Sequence, residues 1–384
     1  MLFNLCNCVA PSSLAADVGS LCSGGAGFVT AMMATLAANA RTEPAKTLRG
    51  GLPQVDKLAV RMVTDNIVMQ FVPTEKRDGL SIERRTGSNT SPERPPRAAL
   101  SGEWGLAMHA ESQRGGETRH VLIDFGYTPE VLLNNMAILK VDPATFDALV
   151  LSHGHYDHFG GMVGFLNANK SALKRKIPFY VGGEDTFCIR KNPGGNFGAL
   201  DRKAILDAEL TLMMASEPAI VADHAFTTGR IGQTSFEKPL QPSMEIVGIV
   251  DGFGCFPEQM PAEKNTGAYI PDDFEHEIGT VYLVKGRGLV VLTSCSHRGV
   301  INTVRQAMEA SGIDKVFAVI GGFHVVPPLG DDYINQTIAE FKEIDTDYLV
   351  TAHCTGDRFY DLARQALGAK VIHSAVGTRF VFES

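Results

Sequence analysis

Leu151-Ser152-His153-Gly154-His155-Tyr156-Asp157-His158-Phe159-Gly160-Gly161 packs three histidines and an aspartate into six positions, 153–158. An apolar run over 146–151 leads into it, and a glycine pair leads out. Ligand-capable side chains crowded just past a strand end make a poor core, because buried polar groups need partners. Imidazole nitrogens with a carboxylate suit zinc, iron or manganese, whereas calcium takes oxygen ligands. The string is read as part of a metal site. The competing reading, a solvated polar turn with incidental histidines, leaves the density of ligands unexplained.

Working outward, the flanking elements repeat one pattern. Residues 106–112 and 118–125 read as paired strands around the turn Arg114-Gly115-Gly116-Glu117. Residues 129–139 read as a helix, with Thr128 as its N-cap and Pro129 at its first position. In the second half, a hairpin over 279–284 and 288–293 runs into Ser294-Cys295-Ser296-His297. A strand over 315–320 ends in Gly321-Gly322-Phe323-His324, and one over 348–352 ends in His353-Cys354-Thr355-Gly356. Helices are expected over 300–311, 334–344 and 358–367. Each unit is an apolar strand, a polar tip bearing histidine, then a helix. In α/β sheets, sites form at the carboxyl ends of strands, so these tips converge. Two β-rich halves packed face to face and covered by helices give an α/β four-layer αββα sandwich.

A site for two metals draws on His153, His155, Asp157 and His158 from the cluster and on His297 and His353 from the later tips. Two cations about 4 Å apart would share a hydroxide and clamp a phosphoryl or carbonyl oxygen. Asp157 binds a metal or orients that water, and His324 is read as a catalytic group beside it. Asp124 stands at another strand end. His276, in Glu275-His276-Glu277, precedes a strand and is a further candidate.

These residues resemble the metallo-β-lactamase superfamily, whose His-x-His-x-Asp-His signature is matched at 153–158. Within it, the strings at 151–161, 293–302 and 321–324 resemble the branch named for dihydropterin–ribofuranosylaminobenzene-phosphate synthase. The resemblance runs from about residue 55 to the C-terminus. It implies that His153 and His155 hold a first metal, that Asp157, His158 and His353 hold a second, and that Asp124 is structural. Either Cys295 bridges the metals with His276 as third histidine, or His297 is the first-metal ligand and no bridge is evident; the second is favoured. The implied cofactor is one or two divalent transition-metal ions, zinc first, with iron or manganese as alternatives. The implied function is a metal-dependent hydrolase using activated hydroxide on a small phosphorylated or ester-like substrate. A synthase-type transferase and an iron-dependent oxygen-handling protein are the alternatives.

Bulk properties bound the rest. A formal charge of −8 on 384 residues argues against a general nucleic-acid surface, so the partner is a small molecule. Residues 1–50 read as a leader, poorly ordered or docked, ahead of a single domain over 51–384. The leader has an apolar stretch over 24–40 but no Lys or Arg before Arg41, so it lacks the charged start of a secretory signal. It is too short and too rich in Gly and Ala for a stable membrane span. A cytoplasmic location is expected, with export by an atypical leader as the alternative. The seven scattered cysteines suggest no disulfide framework. Residues 74–99, rich in arginine and proline, are expected to form a long loop over the site and to neutralise phosphate.

Overall fold

The computed structural model describes residues 42–48, 51–84, 98–240 and 242–384. Among these, one ten-stranded sheet and one eight-stranded sheet dominate. The first runs in the order Thr42–Pro44, Thr211–Met214, Pro178–Val181, Ala148–Val150, Glu117–Ile123, Ala107–Arg114, Lys57–Thr64, Arg379–Glu383, Leu80–Glu83 and Glu75–Arg77. The second is built on Thr280–Val284, Gly288–Leu292, Val316–Gly321, Tyr348–Thr351 and Val371–His373.

Alternation along the strands sorts side chains into layers. In the first sheet Val121 and Ile123 join a core shared with Tyr282, Val290 and Leu292 of the second. Leu122, between them, faces the other way and packs on Leu132, Met136 and Phe165. In the second sheet Ala318 and Ile320 face the shared core, while Val319 packs against Val304, Ile338 and Phe359. The helices Pro129–Leu139 and Met162–Asn169 thus cover one sheet. Val300–Ser311, Asp331–Ile344 and Asp357–Leu367 cover the other. This is the expected αββα sandwich.

Local chemistry agrees. Thr128 Oγ1 accepts from Val131 N, capping the helix that Pro129 opens. Gly115 and Gly116 supply positive φ angles of 54° and 91°, which a two-residue hairpin turn requires.

Three expectations need correction. The leader boundary is too late, because Thr42–Pro44 pairs in parallel with Thr211–Met214. Proline is tolerated there because the strand lies at a sheet edge. The remainder of the proposed leader, 1–41 and 49–50, lies outside the described residues. The loop expected over 74–99 begins as a hairpin: Glu75–Arg77 and Leu80–Glu83 pair with each other, and the latter pairs with Arg379–Glu383. Its two-residue turn is Asp78-Gly79, a strong hairpin signal. Residues 85–97 lie outside the described part. Finally, Cys188 and Cys255 form a disulfide, and the middle of the chain adds a four-stranded sheet that includes Ile189–Asn192 and Met244–Ile246. No described helix is long and apolar enough to cross a membrane.

The glycine pair after the histidine cluster has a steric cause. A Cβ on Gly161 would lie 2.1 Å from the backbone oxygen of Phe125. Gly161→Ala is therefore expected to destabilise by about 1–3 kcal/mol or more. Gly330→Ala, where a Cβ meets nothing within 4 Å, should stay within about 0.5 kcal/mol of wild type. Urea unfolding of both variants checks this, and equal stabilities would refute the packing argument.

Candidate metal centre

The cluster follows Ala148–Val150, and its backbone is sewn to neighbouring strand ends. Phe125 N donates to His158 O at 2.7 Å and Leu106 N to Asp157 O at 3.2 Å. Asp124 ties the side chains together. It accepts from Ser152 N and from Ser152 Oγ, each at 2.8 Å, and pairs with His158 Nδ1 at 2.8 Å. A carboxylate on Nδ1 fixes the ring's orientation, and in the neutral ring it holds the proton on Nδ1 so that Nε2 carries the lone pair. Ser152 Oγ also lies 2.9 Å from His153 Nδ1. Its proton is committed to Asp124, so it accepts from His153 and likewise frees Nε2.

The later tips arrive from the second sheet. His297 lies 4.8 Å from His153 and 4.7 Å from His155 between ring centroids, and it stacks on Phe274 at 4.0 Å. Its backbone N–H and that of Arg298 donate to the buried Glu277. His353 Nε2 stands 3.2 Å from Asp157 Oδ2. His353 is held from behind by Asp65 and Asn66: its N donates to Asp65 Oδ1 at 3.0 Å, and Asn66 Nδ2 donates to its carbonyl at 2.8 Å.

The donors gather into two overlapping groups. One holds Asp157, His158, Cys295 and His353; the other holds His153, Cys295 and His297; within each group the donor atoms lie within 4.8 Å of one another. Cys295 is common to both, and its Sγ is 3.1 Å from His158 Nε2. Of the candidates left open by the sequence, Cys295 belongs to both groups, His297 to one and His276 to neither. His276 sits 6.5 Å from the His153 ring and turns Nδ1 to Arg190. His155, expected with His153, lies outside both groups; its Nε2 is 3.2 Å from Ser243 Oγ. His324 is 4.2 Å from the His297 ring and forms a third grouping with Cys295 and Cys354.

The site's fit to cations rests on its unpaired atoms. Among the described residues, His153 Nε2, both nitrogens of His297, and His353 Nε2 are buried with no hydrogen-bond partner. Leaving a buried polar atom unsatisfied costs about 1–3 kcal/mol each, and a cation at their convergence would satisfy several together. Burial and the neighbouring imidazoles push His153 and His297 well below the usual histidine range, so both are neutral donors. Burial would lift Asp157, but His158 and His353 outweigh it and hold its carboxyl below the usual range. Burial would depress His158, but Asp157 and Asp124 raise it to about 9.

Asp157, Cys295 and His297 line a cavity of about 730 Å³. Trp104, Tyr127, Tyr156, Phe197 and Phe274 line it too. The arginines expected to reach it are partly engaged elsewhere. Arg77 pairs with Glu75, and Arg84 donates to Thr378 Oγ1 and His373 O. Sequence reasoning missed Asp65, Asn66, Ser243 and Cys354; only Cys354, next to His353 in a strand-end tip, carried a signal.

Residues 113–175 match the model of the metallo-beta-lactamase superfamily. Over 261 residues the chain is 28% identical to the 7,8-dihydropterin-6-methyl-4-(beta-D-ribofuranosyl)-aminobenzene-5'-phosphate synthase of Methanocaldococcus jannaschii, covering 66% of this chain and 81% of that protein. An uncharacterized protein of the same organism is 26% identical over 240 residues, covering 62% of this chain and 80% of its own length. The crystal structure of Tm1679, a metal-dependent hydrolase of the β-lactamase superfamily, superposes with a TM-score of 0.60 at 20% identity, over 84% of this chain and 98% of that one. The chain carries the metallo-β-lactamase fold, and the resemblance drawn from 153–158 holds.

The overlap at Cys295 makes a specific prediction. Loaded with Zn2+ and desalted, the wild type should retain two ions by elemental analysis. His353→Ala should retain one, and Cys295→Ala should weaken both. Two ions held by Cys295→Ala with wild-type affinity would remove the shared role.

Proposed function

We propose that this metallo-β-lactamase-fold chain is a metal-dependent enzyme, and that it hydrolyses a small phosphorylated or ester-like substrate. The observation that carries the reading is the set of buried imidazole nitrogens without a hydrogen bond on His153, His297 and His353, grouped with Asp157 and Cys295 beside a cavity that Asp157, Cys295 and His297 line. His153, His155 and His297 would hold one cation, and Asp157, His158 and His353 a second, with Cys295 between them. Zinc is the expected ion, since imidazole and thiolate donors favour it. When bound, such cations stabilise developing charge on oxygen and make water a nucleophile near neutral pH.

The remaining roles belong to the protein. Asp124 fixes His158 and, through Ser152, His153, so the imidazoles meet a cation without reorganising. Asp157, ionised and 3.2 Å from His353 Nε2, orients the attacking water. His324 lines the cavity. Burial would lower its pKa, but Cys354 and Glu277 raise it, so it carries a proton for the leaving oxygen. The aromatic walls favour a substrate with a flat organic portion, which stacks on Trp104 or the tyrosines.

Transfer is the second reading. It is favoured by the 28% identity to the synthase over 261 residues. In that case the centre grips a phosphorylated leaving group, and the cavity excludes water while a second substrate attacks.

The test is an activity panel of aryl phosphodiesters, lactones and pterin phosphates, run on stripped and Zn2+-reloaded protein. Reloaded enzyme should turn over a member of the panel, stripped enzyme should not, and His158→Ala should lose at least about 100-fold in kcat/KM. Undiminished turnover after complete metal removal would end the hydrolase reading. A coupled product from two substrates, without hydrolysis of either alone, would establish transfer instead.

A further inference from the structure

His155 has a support built like the one behind His153, from the far side of the site. Asp124 takes the Ser152 hydroxyl proton, so Ser152 accepts from His153. In the same way, Ser243 Oγ donates to Asp272 Oδ2 at 3.3 Å and lies 3.2 Å from His155 Nε2. Asp272 Oδ2 is itself 3.9 Å from His155 Nε2. Asp272 is fixed in turn. It accepts from Arg190 Nε at 2.7 Å and from Phe274 N at 3.0 Å, and its own N donates to Ser243 O at 3.0 Å.

Arg190 is fully buried, and its guanidinium also reaches Asp185 at 2.8 Å and Glu245 at 2.9 Å. Lys264 pairs with the same two carboxylates. A buried ion cluster of this size adds little net stability over apolar packing. What it does supply is a rigid seat for Asp272. Asp272 faces the Arg190 guanidinium and the Phe274 N–H and acts there as an acceptor, so the Ser243 proton points to Asp272 and the serine oxygen accepts from His155 Nε2–H. Phe274 and Phe197 hold the ring on its flanks, at 5.2 and 5.1 Å between centroids.

We propose that Ser243 and Asp272, seated on Arg190, position His155 by fixing its proton on Nε2, so that Nδ1 is the atom offered to a cation beside His153 and His297. The relay rests on the metal-centre reading above. It gives two of the expected ligands the same carboxylate–serine support from opposite sides of the site. Arg190 and Asp272 act through Ser243 and touch no substrate, so they are positioning residues.

Two measurements on the full chain test it. With 15N-labelled histidine and no metal, wild-type His155 should show the Nε2–H tautomer, and Ser243→Ala should redistribute it. With Zn2+ as the probe, Ser243→Ala should lose affinity at one ion by about 10–100-fold and leave the other unchanged, while Ser243→Thr restores it. Asp272→Asn, nearly the same shape, should act in the same direction. A folded Ser243→Ala with the wild-type tautomer and both affinities intact overturns the relay, and so does an equal loss at both ions. If the wild type takes up no Zn2+ at all, the metal-centre reading fails, while the tautomer measurement still decides whether Ser243 sets the ring.

Discussion

The fold brings imidazoles into a buried space where several of their ring nitrogens make no hydrogen bond to the protein. Everything else about the site is organised around that constraint. Orphaned polar atoms of this kind are costly, on the order of 1–3 kcal/mol each. Burying such nitrogens on His153, His297 and His353 therefore works against folding. Under the proposed reading, a cation taking one lone pair from each ring would offset part of that cost, and its binding free energy would become folding free energy.

The backbone carries a matching cost. Asp124, Ser296, His324 and His353 all have φ between 47° and 60°, a left-handed conformation that non-glycine residues rarely adopt. Each costs about 1 kcal/mol or more. They share a location at strand ends, where the chain must reverse to aim a side chain inward. The framework over-determines each turn. Asp65 and Asn66 grip the backbone of His353. Asp124 accepts from Ser152. The Ser296 hydroxyl donates to Gly322 O. Phe323 N donates to Thr355 Oγ1, joining two of the tips. Strain and its restraint both concentrate where the donors converge.

Much of this was legible from sequence because the tips repeat. His297, His324 and His353 each follow an apolar strand and lead toward a helix, and two independent periodicities, 2 and 3.6, mark the flanks. Val300–Ser311 was readable to the residue for that reason. The stretch between Pro178 and Glu275 was opaque, because its strands are two to four residues long and too short for alternation to register. Its central residue, Arg190, is fully buried, the reverse of what its type suggests. The pairing of Cys188 with Cys255 could not be read from spacing, since spacing does not set connectivity. Ser243 and Asp272 belong to no motif; they matter only through a register that joins distant segments. The Asp78-Gly79 turn, by contrast, was readable and was obscured by the arginine-rich composition around it.

The placing of His276, Cys295 and His297 follows from geometry that no motif contains. Cys295 follows a strand of the second sheet and belongs to two donor groups to which the ends of both sheets contribute. Burial pushes its thiol well above the ordinary range, so the protein alone does not make the thiolate. Adjacent cations would do so, by supplying positive charge where solvent is absent. Under the proposed reading, the ionisation of Cys295 and the occupancy of the centre are one event, and filling it releases a proton. A thiolate there would favour zinc or iron over magnesium and calcium.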